Sequence, residues 1–131
     1  MNMNLNLDAN SILRSFLQSQ LEDLEPNWWS SRVISHLSYR NQDRAWKMGP
    51  SYLAMMDLSE TLKVLKGNWN TICEWNLIDD RAYGLLCHLT FARNAMAHAC
   101  CAPNPAYESY DRMALEILVS IIDEIDARNA A

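Results

Sequence analysis

The chain has 131 residues, 50% of them hydrophobic, and its formal net charge is −5. This length is enough for one domain with its own core, which we expect to span residues 1–131. The apolar runs are too short to cross a bilayer, and residues 1–7 lack the basic start and apolar run of a signal peptide. We therefore expect a cytoplasmic protein without membrane contact. The acidic balance excludes nucleic-acid binding by bulk attraction, since such binding depends on Lys and Arg at the phosphates, so any such contact must be local.

The first part of the chain predicts two helices. Asp8 or Asn10 can cap the first helix, and Pro26 stops it. A second, shorter helix carries the adjacent Trp28 and Trp29. Two neighbouring tryptophans cannot both face one core, so we expect one of them to pack elsewhere or against another chain. The alternative is a tryptophan that stays partly exposed on the surface of a small domain.

Residues 39–50 form a polar stretch that predicts a loop, and this stretch is the most basic part of the chain. Arg44 and Lys47 in this loop are therefore candidates for contacts with the phosphates of a bound RNA. The alternative is that the segment is a plain connection between helices.

The rest of the chain predicts further helices. Residues 51–66 form one helix, which Gly67 interrupts, and Asn68 then either caps a short helix or binds nearby loop backbone with its amide. Asp79 or Asp80 caps a long helix, and the last helix has the strongest apolar periodicity of the chain. No segment alternates like a strand, so the predicted fold is all-α, an up-and-down bundle of four to five helices.

A polar group interrupts the apolar end of the helix that starts around Asp80. An apolar stripe on this helix consists of Leu85, Leu89, Ala92 and Met96. At about 100° per residue, Asn94 and His98 share a face roughly opposite that stripe, and Arg93 lies beside its edge. We therefore expect an amide and an imidazole to point away from the core, with a guanidinium within reach of them.

These three side chains suit the cleavage of RNA. A neutral imidazole can take or give a proton near neutral pH, and a guanidinium can hold a phosphate by two parallel hydrogen bonds. His98 would act as the base or acid, Arg93 would hold the phosphate, and Asn94 would orient His98. This chemistry needs no metal and no cofactor. The alternative is chance, because Arg and His both favour the C-terminal end of a helix dipole.

The cysteines offer a second, weaker possibility, a zinc site that would recruit His88 or His98. No C-x-x-C pair exists, and two adjacent cysteines are a poor tetrahedral donor set. We therefore expect free thiols packed as small hydrophobic side chains. The four cysteines are Cys73, Cys87, Cys100 and Cys101.

The ordered set of motifs resembles the Swt-type branch of the HEPN superfamily of α-helical domains. Its members carry a Leu-rich helix, then an Asn-Trp pair, then an Arg-Asn-x-x-Ala-His ending. This chain has the Leu-rich residues 58–65, then Asn68 and Trp69, then Arg93 to His98. Two features depart from the patterns of the superfamily. Cys100 stands where some toxins have a tyrosine, and Ala95 and Met96 replace the usual bulky or basic residues.

The resemblance implies a homodimeric bundle in which the motifs of two copies line a shared cleft. Many HEPN members are metal-independent endoribonucleases of toxin–antitoxin, phage-defence or RNA-surveillance systems. The resemblance assigns Arg93 and His98 as the catalytic pair, Asn94 as a supporting residue, and Asn68 and Trp69 as structural support. An antitoxin or a larger defence-system partner is then expected. The alternatives are a non-catalytic module for dimerisation or partner binding, and nucleotide binding without cleavage.

Overall fold

A computed structural model describes the backbone of residues 5–98 and 105–130, and the side chains of residues 9–90 and 111–130. Within these ranges there is no strand, which confirms the predicted all-α class. The described ranges contain five α-helices: α1 (Leu5–Leu24), α2 (Tyr39–Met48), α3 (Leu58–Asn76), α4 (Tyr83–His98) and α5 (Pro105–Ala130). The connection between α1 and α3 also contains a π-helical turn (Trp29–Val33) and two 3₁₀ segments (Ile34–His36 and Gly49–Met55). Among the described helices, none combines the length and apolar character needed to span a membrane.

Four of these helices form a bundle. Helix α1 packs against α3 and α5, and α4 packs against the same two helices, so their order around the bundle is α1–α3–α4–α5. Fully burying one Leu or Phe side chain contributes roughly 1.5–3 kcal/mol, so this interior is the main source of stability. The largest side chains buried in it include Leu13, Phe16, Leu17, Leu62, Leu65, Trp69, Leu86, Leu89 and Leu115.

Helix α1 starts earlier than predicted and ends where predicted. It begins at Leu5, so Asn10 lies inside the helix and does not cap it. The Nδ2 of Asn10, which is buried, donates to the carbonyl oxygen of Met56 at 3.0 Å. The end at Leu24, two residues before Pro26, agrees with the expected effect of proline. A long-range hydrogen bond, invisible in the sequence, thus replaces the expected cap.

Of the two expectations for the adjacent tryptophans, packing of one ring away from the core is wrong, whereas a partly exposed ring is what Trp29 shows. Trp28 is buried, and Trp29 is partly buried against the same core. Their rings meet edge to face with centroids 5.6 Å apart, and Nε1 of Trp29 donates to the carbonyl oxygen of Ala45 at 3.0 Å. Both rings find apolar surroundings because the core extends beyond the bundle, under the connection that includes Ala45 and Tyr52.

The loop predicted for residues 39–50 is wrong as well, because most of it forms α2. Only Ala45 of this helix is buried, so the segment shows no apolar stripe. Side-chain hydrogen bonds hold it instead: Nδ2 of Asn41 donates to Oε2 of Glu60 at 2.7 Å, and Nε2 of Gln42 donates to the carbonyl oxygen of Leu37 at 3.1 Å. Gly49, with φ of 69°, ends the helix.

The predicted helix over residues 51–66 is displaced, and its break at Gly67 is wrong. Asp57 caps α3, and its Oδ1 accepts a hydrogen bond from the backbone N–H of Glu60 at 2.9 Å. The helix then continues through Gly67 to Asn76. A Cβ at Gly67 would lie 2.4 Å from atoms of the His36 ring, so the glycine makes room for a packed neighbour and does not mark a helix end.

Candidate functional site

Helix α4 contains all three predicted catalytic residues. Its described backbone runs from Tyr83 to His98, so Arg93, Asn94 and His98 lie on one continuous helix. Positions 94 and 98 are one turn apart on the same side of that backbone. The side chains of residues 91–98 lie outside the described residues. The predicted direction of the amide, imidazole and guanidinium therefore stays a prediction.

The buried face of α4 is rotated relative to the predicted stripe. Leu86 and Leu89 are fully buried, whereas Leu85 is only partly buried. Over the described side chains, the core-facing row of α4 therefore begins with Leu86 and Leu89 and not with Leu85 and Leu89. On this side α4 packs against both α3 and α5.

A histidine that the sequence offered only as a possible zinc ligand joins α4 to α5. Nε2 of His88 lies 2.8 Å from Oδ1 of Asp111, and the Asp111 side chain is only 15% exposed. His88 stands five residues before Arg93 on α4, so this contact fixes α4 against α5 just ahead of the motif. The two residues are 23 positions apart in sequence, and only the pairing of the helices α4 and α5 could have indicated the contact.

Asn68 and Trp69 lie inside α3, the neighbour of α4 in the bundle. Asn68 is 1% exposed, and its Nδ2 donates to the carbonyl oxygens of Arg32 and Val64, each at 2.8 Å. Of the two predicted roles for Asn68, helix capping is wrong; its amide does bind backbone, but that of the π-helical turn and of α3 itself instead of a loop. Trp69 is fully buried. The pair therefore joins α3 to the π-helical turn and to the bundle interior.

Arg44 and Lys47, the two predicted RNA contacts, lie on α2 and not in a loop. Both are exposed, and Nζ of Lys47 lies 3.1 Å from Oδ2 of Asp43. Helix α2 packs mainly against the 3₁₀ segments Ile34–His36 and Gly49–Met55, outside the four-helix bundle that contains α4. The structure thus separates these two basic residues from the motif helix of the same copy of the chain.

The thiols offer no described metal site. Within the described residues, no group of three or more His, Cys, Asp or Glu side chains could hold a metal ion. Cys73 is a free, buried thiol, and burial together with the nearby carboxylates of Asp80 and Asp79 raises its pKa to about 11. Cys73 is therefore protonated near neutral pH and packs as a small hydrophobic side chain, as predicted. The predictions for Cys100 and Cys101 fall outside the described residues.

An open cleft of about 720 Å³ lies where the α3–α4 connection meets the end of α5. Its charged lining carries both signs, and the guanidinium of Arg81 already binds Asp79 through two hydrogen bonds of 2.8 Å. That pairing lowers the pKa of Asp79 to about 2. Trp69 also lines the cleft, but its Nε1 is buried and lacks a partner among the described residues. Glu124 and Arg128 add one more charge of each sign, so the lining does not favour a ligand of either charge.

Comparison with protein-family models, with curated proteins and with solved structures finds no match for this chain. The likeness to HEPN domains therefore depends on the motif residues and their order along the chain. Any function assigned from it is a proposal, to be supported by the chemistry of those residues.

Proposed function

We propose that the chain is a metal-independent endoribonuclease of toxin or phage-defence type. It acts as a homodimer that cleaves RNA at a composite site, in which Arg93 and His98 of both copies line one cleft. The observation that supports this proposal most strongly is the continuous helix that reaches from Tyr83 to His98. On such a helix the backbone positions of the Arg-Asn-x-x-Ala-His residues are fixed relative to one another, and catalysis requires groups that are held in a defined geometry.

The reaction follows from the chemistry of the two side chains. The imidazole of His98 takes the proton from a ribose 2′-hydroxyl, and the 2′-oxygen attacks the adjacent phosphorus. The bond from phosphorus to the 5′-oxygen then breaks, and that oxygen receives a proton. The products are a 2′,3′-cyclic phosphate and a 5′-hydroxyl. Arg93 holds the phosphate and offsets the charge that grows on its oxygens.

A dimer supplies what one copy lacks. The reaction needs a base at the 2′-hydroxyl and an acid at the leaving oxygen, and two copies of His98 in one cleft provide one imidazole for each. Asn94, one turn before His98 on the same side of the backbone, orients the imidazole. A cleft between two chains also excludes water, which strengthens the attraction between Arg93 and the phosphate.

Two features of the described residues support the proposed framework. Asn68 and Trp69 are buried in the helix that neighbours α4, as expected for residues that hold the site in place. The hydrogen bond between His88 and Asp111 fixes the first half of α4, so the motif extends from an anchored helix. The second feature restricts the freedom of α4 ahead of Arg93.

Incubation of the purified chain with mixed RNA in EDTA tests the proposal. The parent chain should cleave RNA, and His98→Ala should lower the rate by about 10²–10⁴-fold, the usual worth of a general acid–base group. His36→Gln, which removes a histidine from a different part of the chain, should retain the activity. Absence of cleavage by the parent across several RNAs, or equal cleavage by His98→Ala, would contradict the proposal. Light scattering that shows only monomer at micromolar concentration would contradict the composite site.

The competing function is a non-catalytic module that binds a partner chain. Its support is an exposed apolar pair on α5, Met113 and Ile117, which are 56% and 48% exposed and one turn apart. A chain that dimerises or binds a partner through this pair, and cleaves no RNA, would favour the module. Met113→Ser with Ile117→Ser should then abolish association, whereas His98→Ala should leave it unchanged.

A further inference from the structure

We propose that the exposed face of α2 binds single-stranded RNA, with bases stacked on Tyr39 and Trp46 and phosphates held by the cations beside them. This assignment rests on the proposed ribonuclease function, since it adds a substrate-binding surface to that activity. Four observations support it: the rigid attachment of α2, two exposed aromatic rings on one side, a row of cations next to them, and a local charge opposite to that of the chain.

Helix α2 is held on one side and free on the other. Its inner side contains the buried Ala45, whose carbonyl oxygen accepts a hydrogen bond from Nε1 of Trp29 at 3.0 Å. Asn41 on the same side donates to Glu60 at 2.7 Å. The phenol of Tyr52 also donates to Glu60, at 3.0 Å, so a shared carboxylate joins α2 to the start of α3. The outer face is therefore presented on a fixed frame.

Two large aromatic side chains stand on that outer face. Tyr39 is 91% exposed and Trp46 is 65% exposed. They are seven residues apart, so they lie on the same side of the helix, separated by roughly 10 Å along its axis. Rings so exposed add little to the core, and two of them aligned on one face form a surface on which two bases can stack.

The cations form a second row beside the rings. Arg40 and Lys47 are also seven residues apart, and Arg44 lies between them on the same flank of the helix. All three side chains are exposed. A strand laid along α2 would thus place its bases on the aromatic row and its phosphates on the cationic row. Arg can in addition stack on a base and bind a phosphate through two hydrogen bonds.

The charge of α2 opposes that of the chain. Three cations against one carboxylate, that of Asp43, give the helix a charge of +2, whereas the whole chain carries −5. A polyanion therefore meets less repulsion at α2 than the net charge of the chain alone predicts. Asp43 lies between the two rings and is paired with Lys47 at 3.1 Å. Its carboxylate weakens the attraction of the face for phosphate. It also disfavours insertion into a lipid surface, because such insertion needs a continuous apolar row.

In the proposed reaction, this face adds contacts for the strand beyond the cleaved bond, from outside the four-helix bundle. Bases stack without a sequence preference on aromatic rings, so the expected substrate is a flexible single strand and not a duplex.

The test uses a fluorescein-labelled single-stranded RNA of about 12 nucleotides with 2′-O-methyl groups throughout, so that attack by the 2′-oxygen is blocked. Binding to the whole chain is measured by fluorescence anisotropy at low salt. Trp46→Ala and Tyr39→Ala should each weaken binding about tenfold, as expected for loss of one stacked base. Trp75→Ala is the matched control, because Trp75 is 53% exposed at the far end of α3 and should have no effect.

Charge variants sharpen the result. Arg44→Gln should weaken binding and reduce the slope of log affinity against log salt by roughly 0.7, the value for one phosphate contact on a single strand. Asp43→Asn should strengthen binding, because it removes the carboxylate from the face and frees Lys47. A gain of affinity cannot arise from a folding defect. Circular dichroism of each variant checks that the helices are intact.

The outcomes separate this inference from the proposed function. A parent chain that binds the blocked RNA through Trp46 but never cleaves natural RNA would keep the α2 face and contradict the ribonuclease. Cleavage that needs His98 but is indifferent to Trp46→Ala would overturn the α2 assignment and keep the ribonuclease. Equal losses for Trp46→Ala and Trp75→Ala would also overturn it. The assignment would also be overturned if the chain bound no RNA but bound phosphatidylglycerol vesicles, and Trp46→Ala abolished that vesicle binding.

Discussion

Substituting Gly67 with alanine tests whether packing or helix propensity determines how this position affects the stability of the chain. Alanine in the interior of a helix is normally about 1 kcal/mol more stable than glycine. Gly67 lies in the interior of α3, and its φ is not in the left-handed region, so propensity alone predicts a gain in stability. The structure predicts a loss, because the space of the added methyl group is occupied.

The size of the loss follows from the distances. A Cβ at Gly67 would lie 2.4 Å from both Cε1 and Nδ1 of His36 and 2.8 Å from Nε2. Carbon atoms in contact are ordinarily about 3.5–4.0 Å apart, so the ring must move by about 1 Å or turn away. Overpacking of this kind costs about 1–3 kcal/mol. Set against a gain of about 1 kcal/mol, Gly67→Ala should lower the free energy of unfolding by up to about 2 kcal/mol.

Urea denaturation, followed by circular dichroism, measures the change. Gly84→Ala is the matched control, because Gly84 lies in α4 and a Cβ there meets no atom within 4 Å. It should stabilise the chain by about 0.5–1 kcal/mol. Combining Gly67→Ala with His36→Ala should recover most of the loss, since the clashing ring is gone. A Gly67→Ala variant that is stabilised as much as Gly84→Ala would show that the His36 ring does not occupy this space.

The pH dependence of stability reports on the same contact. Burial, and then the charges of Arg32 and Lys63, lower the pKa of His36 in the folded chain below its ordinary value of 6.5. The unfolded chain therefore binds a proton more readily, so stability is complete above pH 6.5 and falls as the pH drops from 6.5 towards the folded-state pKa. Gly67→Ala, which pushes the ring outwards, should flatten this dependence. An unchanged pH profile would show that the ring had not moved.

Of three further predictions, two concern hydrogen bonds and one concerns a backbone angle. Asn68→Asp places a carboxylate against two carbonyl oxygens. It should therefore lower the free energy of unfolding by about 3 kcal/mol or more at neutral pH, and by less at about pH 4. Thermal melts at both pH values measure the difference. A loss that does not depend on pH would contradict the cause. Leu77 is 89% exposed and has a φ of 58°, in the left-handed region that strains any residue with a side chain. Leu77→Gly should therefore raise the free energy of unfolding, measured in urea, by about 1 kcal/mol. A lower free energy of unfolding would mean that the Leu77 side chain packs. Single and combined alanine variants of His88 and Asp111 should show a coupling of about 1–2 kcal/mol in their free energies of unfolding. Additive losses would contradict a stabilising contact between α4 and α5.

Apolar periodicity made most of the bundle predictable. The end of α1 before Pro26 and the all-α class follow from the spacing of apolar residues and from proline geometry. Helix α2 could not be found in this way, because it buries only Ala45 and depends on hydrogen bonds from Trp29 and to Glu60. A helix held by partners elsewhere in the chain has no local signal.

The misplaced break at Gly67 has a similar cause. Glycine lowers helix propensity, but the cost of about 1 kcal/mol is small beside the packing of α3 against its neighbours. The reason for the glycine is a ring from His36, more than thirty residues earlier. In the same way, the contact between His88 and Asp111 appears only when α4 and α5 are known to be neighbours. The motif residues were visible in the sequence because their pattern is local to one helix.

The chemistry of the RNA ends tests the central claim most directly. The chain is incubated in EDTA with a defined RNA, and the product termini are identified by mass spectrometry, beside the variants His98→Ala and Arg93→Ala. The account predicts 2′,3′-cyclic phosphate and 5′-hydroxyl ends from the parent, with the rate lowered about 10²-fold or more in each variant. Products that end in a 3′-hydroxyl and a 5′-phosphate, or no cleavage by a chain that is folded and dimeric, would contradict it.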